Sequence, residues 1–525
     1  PVLSPLTLRC LLAGLATPAH HLRQVRSCRR IGWLRRLGGL GVGVGTCGTS
    51  KAHKLARVPS ESASEMAGSG IHRGKRGINT CLICNTTGIT DPWPPKSSHL
   101  VSRRIGMRVQ QLTIKAFRGI DSLALTLDPK LTVIVGDNGV GKTSVLDAIA
   151  ILLDNYLARW LRGSAQSAER LKDSDIKFGC NTASVAIRVH HRGLDGEWAL
   201  RRQTRQGRIR GSSPSDFSSL NALVRGVLAA DEGRLSGAPL LIYYGQRRAV
   251  LDLPRRIRSV SNQKPEAAFD DALKVGDLNF REFVAWFRDK SLQEAQNWRR
   301  DRLYVDIQLD AVRRAMTKAT GLSDPSYRVP TPSGLCFTKR GVELRVDQLS
   351  SGERSFLSLA GDLARRLAML NPDGPDPLEG DGIVLIDEVE LHLHPKWQRT
   401  FIPWMVKTFP NCQFIVTTHS PQVLGEVNAE SIRVLEQRSG HVAVSQPDAS
   451  YGRDSNFLLL SVLGAEDRED SVRKLLAEFD ALLSQGLIEK AEAVLSQFQE
   501  AMEGAPPEVT LALSRLNRLK RAKAN

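Results

Sequence analysis

The segment GDNGVGKT, Gly136–Thr143, restricts the possible folds more than any other feature of this 525-residue chain. It matches the pattern G-x-x-x-x-G-K-[ST] and lies between a short apolar run, Leu131–Val135, and a stretch of helical periodicity, Thr143–Leu157. A buried strand followed by a glycine-rich turn and a helix is the setting in which this pattern forms a phosphate-binding loop (P-loop), because glycines allow several backbone N–H groups to point into one concavity. The sequence therefore predicts an α/β fold with a phosphate site at the start of that helix.

The residues of this P-loop have separate expected roles. The Lys142 ammonium is expected to reach the β- and γ-phosphates of a nucleotide, and the Thr143 hydroxyl is expected to bind Mg²⁺. The other residues predicted to line the phosphate site are Gly136, Asn138, Gly139, Gly141 and Ser144. ATP and Mg²⁺ are therefore the predicted ligands.

A second segment, GIVLIDEVE at Gly382–Glu390, has an apolar run that ends in two carboxylates. Acidic side chains at the end of a buried strand are unfavourable unless a metal or a proton transfer uses them. Asp387 is predicted to hold Mg²⁺, directly or through water, and Glu388 to polarise the attacking water as general base. A plain strand-to-loop exit would be the simpler interpretation of this segment alone, but the P-loop upstream favours the catalytic one.

At LSSGERS, Leu349–Ser355, the sequence resembles the ABC ATPase superfamily, whose signature motif has this form. The resemblance implies that Ser350 and the Gly352 amide, with the adjoining Ser351 and Glu353, contact a γ-phosphate at a helix N-terminus. A serine-rich helix cap would have the same sequence. The position of the segment between the P-loop and the acidic strand favours the signature motif.

The resemblance extends to the segments VTTHSP and ELHLHPKWQ. His419 in VTTHSP matches the switch histidine of the superfamily, which is expected to contact the γ-phosphate. With Lys142 and Glu388 it completes the predicted catalytic set. His394 and Pro395 match the loop after the acidic strand, which in this superfamily touches the opposing protomer.

Two features of the nucleotide site are less well defined by the sequence. Arg118 in AFRGI resembles the early basic residue near the nucleotide of SMC- and RecF-type ATPases. The glutamine loop of the superfamily has no clear equivalent, since the only glutamine between Thr143 and Leu200 is Gln166, in a stretch of helical pattern. DSDIKFG, Asp173–Gly179, is a candidate replacement, and the glutamine ligand stays unassigned.

One P-loop and one signature helix in a single chain imply a homodimer. In this superfamily the signature of one protomer faces the P-loop of the other, so that ATP is sandwiched between two copies, and a higher oligomer is also compatible. ATP then becomes part of the interface, and hydrolysis removes that bridge. The resemblance thus implies a cycle of closing and opening.

The order of these motifs, over about residues 107–425, resembles stand-alone AAA/SMC-like bacterial ATPases grouped with RecF. YGRDSNFLLLSVLG, Tyr451–Gly464, and the helical stretch after it resemble the PtuA-type ATPases of Septu and retron anti-phage defence systems. That resemblance implies a cytoplasmic complex with a separate HNH-type nuclease. The alternatives are a RecF-like repair ATPase that binds nucleic acid directly and, with less support, the ATPase subunit of a membrane transporter. A built-in Toprim nuclease is rejected, because no Asp-x-Asp follows His419.

The predicted fold is an α/β P-loop NTPase of ABC/SMC-like type with a mixed or parallel sheet, a helical insertion and a C-terminal helical hairpin. Composition and periodicity divide the chain into a basic N-terminal extension (1–106), an N-terminal ATPase lobe (107–214), a mainly helical insertion with one strand-like run (215–345), a C-terminal ATPase lobe (346–445) and a C-terminal tail of hairpin and third helix (446–525). The extension has no acidic residue before Glu61 and is predicted to be disordered or to lie upstream of the native start. An organelle transit peptide is the alternative.

The composition of the chain excludes few classes of function. The formal net charge of +18 is concentrated in residues 1–106, so it is weak evidence for nucleic-acid binding by the rest of the chain. No apolar run is long enough to predict a membrane span, and the scattered later cysteines predict reduced thiols in a cytoplasm. Cys81 and Cys84 form a lone CxxC; zinc needs two further ligands, for which only His72, His99 or Cys47 are nearby, so a metal site is the weaker interpretation. The arginine cluster Arg201–Arg210 could bind a phosphate backbone, although a solvated strand and loop would have the same composition.

Overall fold

The computed structural model of the protein describes residues 106–163, 168–204, 215–230, 238–246, 248, 263–274, 280–329, 334–438, 441–465, 470–501 and 507–524. Most of the predicted extension, with Cys81 and Cys84, lies outside the described residues. Gln166 and residues 205–210 of the arginine cluster also lie outside them.

The strands in chain order are β1 (Arg108–Phe117), β2 (Ile120–Thr126), β3 (Leu131–Gly136), β4 (Thr182–His191), β5 (Leu194–Gln203), β6 (Leu240–Tyr244), β7 (Ser323–Arg328), β8 (Gly334–Lys339), β9 (Val342–Arg345), β10 (Gly382–Ile386), β11 (Cys412–Thr417), β12 (Ile432–Arg438) and β13 (His441–Ser445). The helices are α1 (Lys142–Arg162), α2 (Ser218–Ala230), α3 (Phe280–Arg300), α4 (Ile307–Thr320), α5 (Ser351–Leu370), α6 (Pro395–Thr408), α7 (Pro421–Leu424), α8 (Ser455–Ser461), α9 (Asp470–Ser484), α10 (Ile488–Ala501) and α11 (Pro507–Ala524).

A six-stranded sheet with the order β13-β12-β3-β11-β10-β6 holds the functional segments. β12 and β13 pair antiparallel, and the other neighbouring strands pair parallel. β3, β6, β10 and β11 are buried along their whole length, as expected for parallel strands covered on both faces. The predicted α/β class with a mixed sheet is confirmed. Because parallel strands end at the same edge, the segments that follow these four strands lie close together.

A four-stranded antiparallel sheet with the order β2-β1-β4-β5 adjoins the central one through contacts between β2 and β13. β1 and β2 pair antiparallel, with Ile114 opposite Leu123. Burial alternates along β1 and β4, so this sheet turns one face to the hydrophobic core. The turn between β1 and β2 also contains Arg118, one of the predicted site residues.

The range 215–345 is only partly helical. It contains α2, α3 and α4, but β6 within it is the edge strand of the central sheet and pairs with β10. β7, β8 and β9 form a small antiparallel sheet of their own. The run LLIYY has the branched and aromatic residues that favour a strand, and all five are buried. Part of the predicted insertion therefore belongs to the sheet that carries the P-loop.

The helices α9, α10 and α11 surround a separate small core that includes Phe479, Leu495 and Leu516. α9 and α10 make the predicted hairpin, with Gly486 at φ 72° in the turn, and α11 packs on α10. The third helix begins at Pro507. No helix among the residues described by the structure is long and apolar enough to cross a membrane.

A buried polar cluster joins the signature helix α5 to the central sheet. The Asp362 carboxylate, which is 2% exposed, pairs with Arg365 at 2.9 Å and with Arg366 at 2.8 Å. It also accepts a hydrogen bond of 3.0 Å from the Tyr244 hydroxyl of β6. Burial alone would raise the pKa of Asp362, but the two guanidinium groups hold it below the ordinary value.

We expect Asp362→Ala to lower the free energy of unfolding by about 3–5 kcal/mol, because it leaves two buried guanidinium groups without their shared carboxylate. Asp310→Ala is the matched control, since Asp310 pairs with Arg314 on the surface of α4. The control should cost less than about 0.5 kcal/mol. Urea denaturation followed by circular dichroism measures both. Equal losses in the two variants would contradict the role given to the buried cluster.

Candidate functional site

The P-loop has the backbone that the sequence predicts. β3 ends at Gly136, α1 begins at Lys142, and Gly139 and Gly141 between them have φ values of 84° and 108°. A Cβ on Gly141 would lie 2.8 Å from the Ile120 side chain, and its φ is also unfavourable for other residues. Glycine is therefore required at this position by both conformation and space.

The Lys142 ammonium lies inside the concavity. Its Nζ donates hydrogen bonds of 2.8 Å to the carbonyl oxygens of Gly136 and Asp137, and the side chain is buried. Burial lowers the pKa of Lys142, although the nearby carboxylates of Asp387 and Glu388 act in the opposite direction. A buried cation held only by carbonyl oxygens is suited to exchange those partners for phosphate oxygens.

The Asp387 carboxylate connects the P-loop helix to the neighbouring strands. The Thr143 hydroxyl donates to one carboxylate oxygen at 2.9 Å, and the Thr417 hydroxyl donates to the other at 2.6 Å. Asp387 is 1% exposed. A threonine hydroxyl beside a buried carboxylate provides the oxygen ligands that Mg²⁺ prefers, so this set of residues fits the predicted metal.

Glu388 has an unusual backbone for a residue other than glycine. Its φ is 47°, in the left-handed region, and its N–H donates to the Thr417 hydroxyl at 2.7 Å. Its carboxylate accepts a hydrogen bond of 3.1 Å from the Gln246 side chain. Strained conformations of this kind occur where the surrounding structure holds a functional group in one orientation.

The end of β11 is tied to the loop after β10 through Glu390. One carboxylate oxygen of Glu390 accepts from the His419 N–H at 2.6 Å, and the other accepts from the Thr418 hydroxyl at 2.7 Å. The structure therefore brings His419 to the same edge of the sheet as Asp387 and Glu388. The parallel pairing of β10 with β11 accounts for this placement.

The signature segment forms a capped helix start. Glu353 accepts from the Ser350 N–H at 3.0 Å, the Ser350 hydroxyl accepts from the Glu353 N–H at 3.3 Å, and Lys339 pairs with Glu353 at 2.6 Å. A Cβ on Gly352 would lie 2.8 Å from the carbonyl oxygen of His392, so this helix start packs against the loop that follows the acidic strand. Within the described part of the chain, no hydrogen bond or ion pair joins residues 350–353 to the P-loop.

The loop after the acidic strand places its two predicted residues at the start of α6. The exposed His394 accepts a hydrogen bond of 3.2 Å from the Lys396 N–H through its Nδ1, and Pro395 is the first residue of the helix. His394 is thus the cap of α6, and its side chain lies at the surface.

Arg118 is placed beside the P-loop helix. Its guanidinium pairs with Asp147 of α1 and with Asp175 at 3.0 Å. The Asp173–Gly179 segment therefore contacts Arg118.

The glutamine that contacts Glu388 is Gln246, two residues after the end of β6. Gln246 lies outside the range Thr143–Leu200 in which the glutamine ligand is expected, because strand order within the sheet decides which loop faces the acidic strand.

Four further residues at the site were not identified from the sequence: Thr417, Glu390, Gln246 and Arg248. Thr417 lies in VTTHSP, two residues before His419, and Glu390 lies in GIVLIDEVE, three residues after Asp387. This proximity along the chain was a usable signal. Gln246 and Arg248 follow the buried run LLIYY, and no pattern in the sequence connects that run with the acidic strand.

Comparisons with known proteins identify the family of this chain. The family described as "AAA domain, putative AbiEii toxin, Type IV TA system" matches residues 225–425, and one described as "AAA domain" matches residues 111–308. The retron Ec83 probable ATPase of Escherichia coli is 30% identical over 442 residues, which cover 72% of this chain and 80% of that protein. The chain belongs to this family of AAA ATPases. The predicted enzyme class, an ATPase, is thereby confirmed.

This AAA ATPase is also similar to two further proteins of known name and to one solved structure. The Septu protein PtuA of Bacillus thuringiensis is 24% identical over 73% of this chain and 91% of its own. The DNA replication and repair protein RecF of Idiomarina loihiensis is 32% identical over 28% of this chain and 38% of its own. The solved SMC head domain from Thermotoga maritima aligns with 65% of this chain and all of its own, at 17% identity and a TM-score of 0.36. The resemblance to retron and Septu ATPases is confirmed.

We expect Lys142→Ala to weaken ATP binding by about 10- to 100-fold, because a charge-assisted hydrogen bond contributes about 1.5–3 kcal/mol. Titration of the purified protein with a fluorescent ATP analogue measures the dissociation constant. Lys130→Ala is the matched control, since Lys130 immediately precedes β3, whereas Lys142 follows the glycine loop at the other end of that strand. A Lys142 variant that binds the analogue as tightly as the control would remove Lys142 from the phosphate site.

Proposed function

We propose that this ATPase is a switch in which two copies close around ATP and open after hydrolysis, and that it gates a partner nuclease of HNH type. The observation that carries the proposal is the group formed by Lys142, Thr143, Asp387 and Glu388 at one edge of the parallel sheet. Because Thr143 and Asp387 lie 244 positions apart in the sequence, their meeting around one concavity is a specific arrangement.

The phosphates of ATP are proposed to lie in the concavity of the P-loop. The backbone N–H groups from Gly136 to Ser144 would donate to the phosphate oxygens, and the start of α1 adds partial positive charge. Lys142 would exchange its two loop carbonyls for the β- and γ-phosphate oxygens. Arg118, which is held beside α1 by Asp147, is proposed to contribute positive charge at the rim.

Thr143 and Asp387 are proposed to hold Mg²⁺. When bound, the ion would neutralise charge on the phosphate oxygens during transfer. Thr417 would keep the Asp387 carboxylate in its orientation through the hydrogen bond of 2.6 Å.

Glu388 is proposed to be the general base. Its carboxylate would accept a proton from the water that attacks the γ-phosphate, while the Gln246 amide holds one carboxylate oxygen. His419 is proposed to contact the γ-phosphate from the end of β11. Its backbone is already held by Glu390, so a movement of the phosphate could be transmitted to the loop after β10.

The dimer is proposed to form head to tail. The exposed Ser351 and its neighbours Ser350 and Gly352 would meet the P-loop of the second copy, where the first turn of α5 offers N–H groups to the γ-phosphate. The capping bonds between Ser350 and Glu353 support this role, because they hold the helix start in one conformation before ATP arrives.

The partner nuclease is proposed from the relatives, which include ATPases of retron and Septu systems. A cytoplasmic defence complex fits those relatives. The second candidate function is a RecF-like repair ATPase that binds DNA directly, and the match to RecF over 28% of the chain favours it.

We expect Glu388→Gln to bind ATP within about threefold of the unaltered protein and to hydrolyse it about 100-fold or more slowly, since the amide cannot accept the proton. It should also accumulate as a dimer when ATP and Mg²⁺ are present, because the bridging γ-phosphate persists. Single-turnover hydrolysis and light scattering after size exclusion measure these effects. Glu478→Gln, on the exposed face of α9, is the matched control. Unchanged turnover in the Glu388 variant would reject the general-base assignment.

The head-to-tail geometry has its own test in the Glu388→Gln protein. Adding Ser351→Arg should prevent the ATP-dependent dimer and leave ATP affinity nearly unchanged, because Ser351 lies at the surface of its own chain. A dimer that still forms would show that the signature helix is not the interface.

The partner assignment is tested by co-expression with the proteins encoded beside this gene. A co-purifying HNH-type protein whose DNA cleavage depends on ATP supports the gating function. ATP-dependent DNA binding by the ATPase alone, with no such neighbour, would favour the repair function instead.

A further inference from the structure

Arg248 is a buried cation that the motifs do not explain. It lies four residues after the end of β6, and it is 4% exposed. Its guanidinium donates from Nη1 to the carbonyl oxygens of Asp387 and of Gly245, the latter at 3.2 Å, and from Nη2 to the carbonyl oxygen of Glu388. A buried arginine is stable only when its donors are satisfied, and here backbone oxygens of the acidic strand end satisfy them.

The two carbonyls on the acidic segment belong to the peptide groups on either side of the Glu388 Cα. The Asp387 carbonyl lies in the peptide before it, and the Glu388 carbonyl lies in the peptide after it. Because φ and ψ describe the rotation of these two peptides, one guanidinium that binds both carbonyls restricts the backbone of Glu388. That backbone has φ 47°, a conformation that is about 1–3 kcal/mol less favourable for a residue with a side chain.

The geometry of the donor matters as much as its charge. A guanidinium is planar and presents two N–H groups side by side, whereas a lysine ammonium is a point donor on a flexible stem. Burial lowers the pKa of Arg248 to about 10, and the carboxylates of Glu390, Asp387 and Glu388 oppose that effect. The group therefore stays charged at neutral pH.

The segment that carries Arg248 also touches the Glu388 side chain. Gln246, two residues earlier, donates to the Glu388 carboxylate at 3.1 Å. Two residues that follow β6 thus contact Glu388. Arg248 binds its backbone carbonyl, and Gln246 binds its side-chain carboxylate. β6 is itself joined to the signature helix by the hydrogen bond between Tyr244 and Asp362.

We propose that Arg248 is a positioning residue that holds Glu388 in its left-handed conformation and so presents the carboxylate to the attacking water. This inference rests on the proposed function of Glu388 as general base. Arg248 does not touch the substrate and acts only through Glu388.

The first experiment compares Arg248→Lys and Arg248→Ala with the unaltered protein in single-turnover ATP hydrolysis. We expect both to hydrolyse ATP at least about 30-fold more slowly and to bind a fluorescent ATP analogue within about threefold of normal. The lysine variant keeps the buried positive charge but lacks the planar pair of N–H donors. Slow ATP hydrolysis by a folded Arg248→Lys protein would therefore show the effect of the guanidinium geometry alone. Normal turnover in this variant would overturn the inference.

Arg159→Ala is the matched control. Arg159 is also a buried arginine that donates to a backbone carbonyl, that of Asn155, but it lies on α1 away from Glu388. We expect the control to keep its turnover. An equal slowing in the control would mean that loss of any buried arginine has this effect, and would overturn the specific role.

The second experiment adds Arg248→Ala to the Glu388→Gln protein. A residue that acts only through Glu388 should slow the Glu388→Gln protein by less than about twofold, whereas independent effects would multiply. A further 30-fold loss in the double variant would overturn the inference while the general-base assignment stands. Normal turnover of Glu388→Gln alone would instead reject the general base, so the two failures are distinguishable.

Hydrogen exchange of the protein without nucleotide gives a readout that does not depend on hydrolysis. The N–H of Leu391 donates to the same Glu388 carbonyl at 2.9 Å, and the N–H of Val389 donates to Thr417 at 2.9 Å. We expect both amides to exchange at least about tenfold faster in Arg248→Lys and at the normal rate in Arg159→Ala. Unchanged protection in the Arg248 variant would overturn the positioning role.

Discussion

The site depends on one buried carboxylate, that of Asp387. A carboxylate that is almost fully withdrawn from water must have its oxygens satisfied, and here two threonine hydroxyls do so. One hydroxyl comes from the P-loop helix and the other from the end of β11. The same two hydrogen bonds therefore stabilise the buried charge and hold three chain segments in register.

The conformation of Glu388 follows from that arrangement. The strand β10 must turn sharply after Asp387, and the left-handed backbone of Glu388 makes the turn. Thr417 holds the Glu388 N–H, and Glu390 holds the segment around His419. If Glu388 is the proposed general base, this fixed orientation means that the group loses little entropy when the substrate binds.

The signature helix is connected to this edge of the sheet by buried contacts rather than by the nucleotide site itself. Asp362 on the helix bonds to Tyr244 on β6, and Gly352 at its start lies against the loop that follows the acidic strand. A rigid connection of this kind is what a switch needs if a second copy pushes on the helix start. In a more flexible structure, a displacement of the helix start would be absorbed within the chain before it reached the edge of the sheet.

The sequence by itself determined the fold class, the P-loop and the acidic strand, because those features depend on residues that are adjacent along the chain. Lys142, Thr143 and Asp387 were identified from local patterns, and the structure places them together. Gln246 and Arg248 were not identified, and the strand-like run in the predicted insertion was not assigned to the sheet that carries the P-loop. Only the tertiary structure decided these points. The order of strands in a sheet depends on which buried faces pack together, and the spacing of residues within a motif does not determine that order.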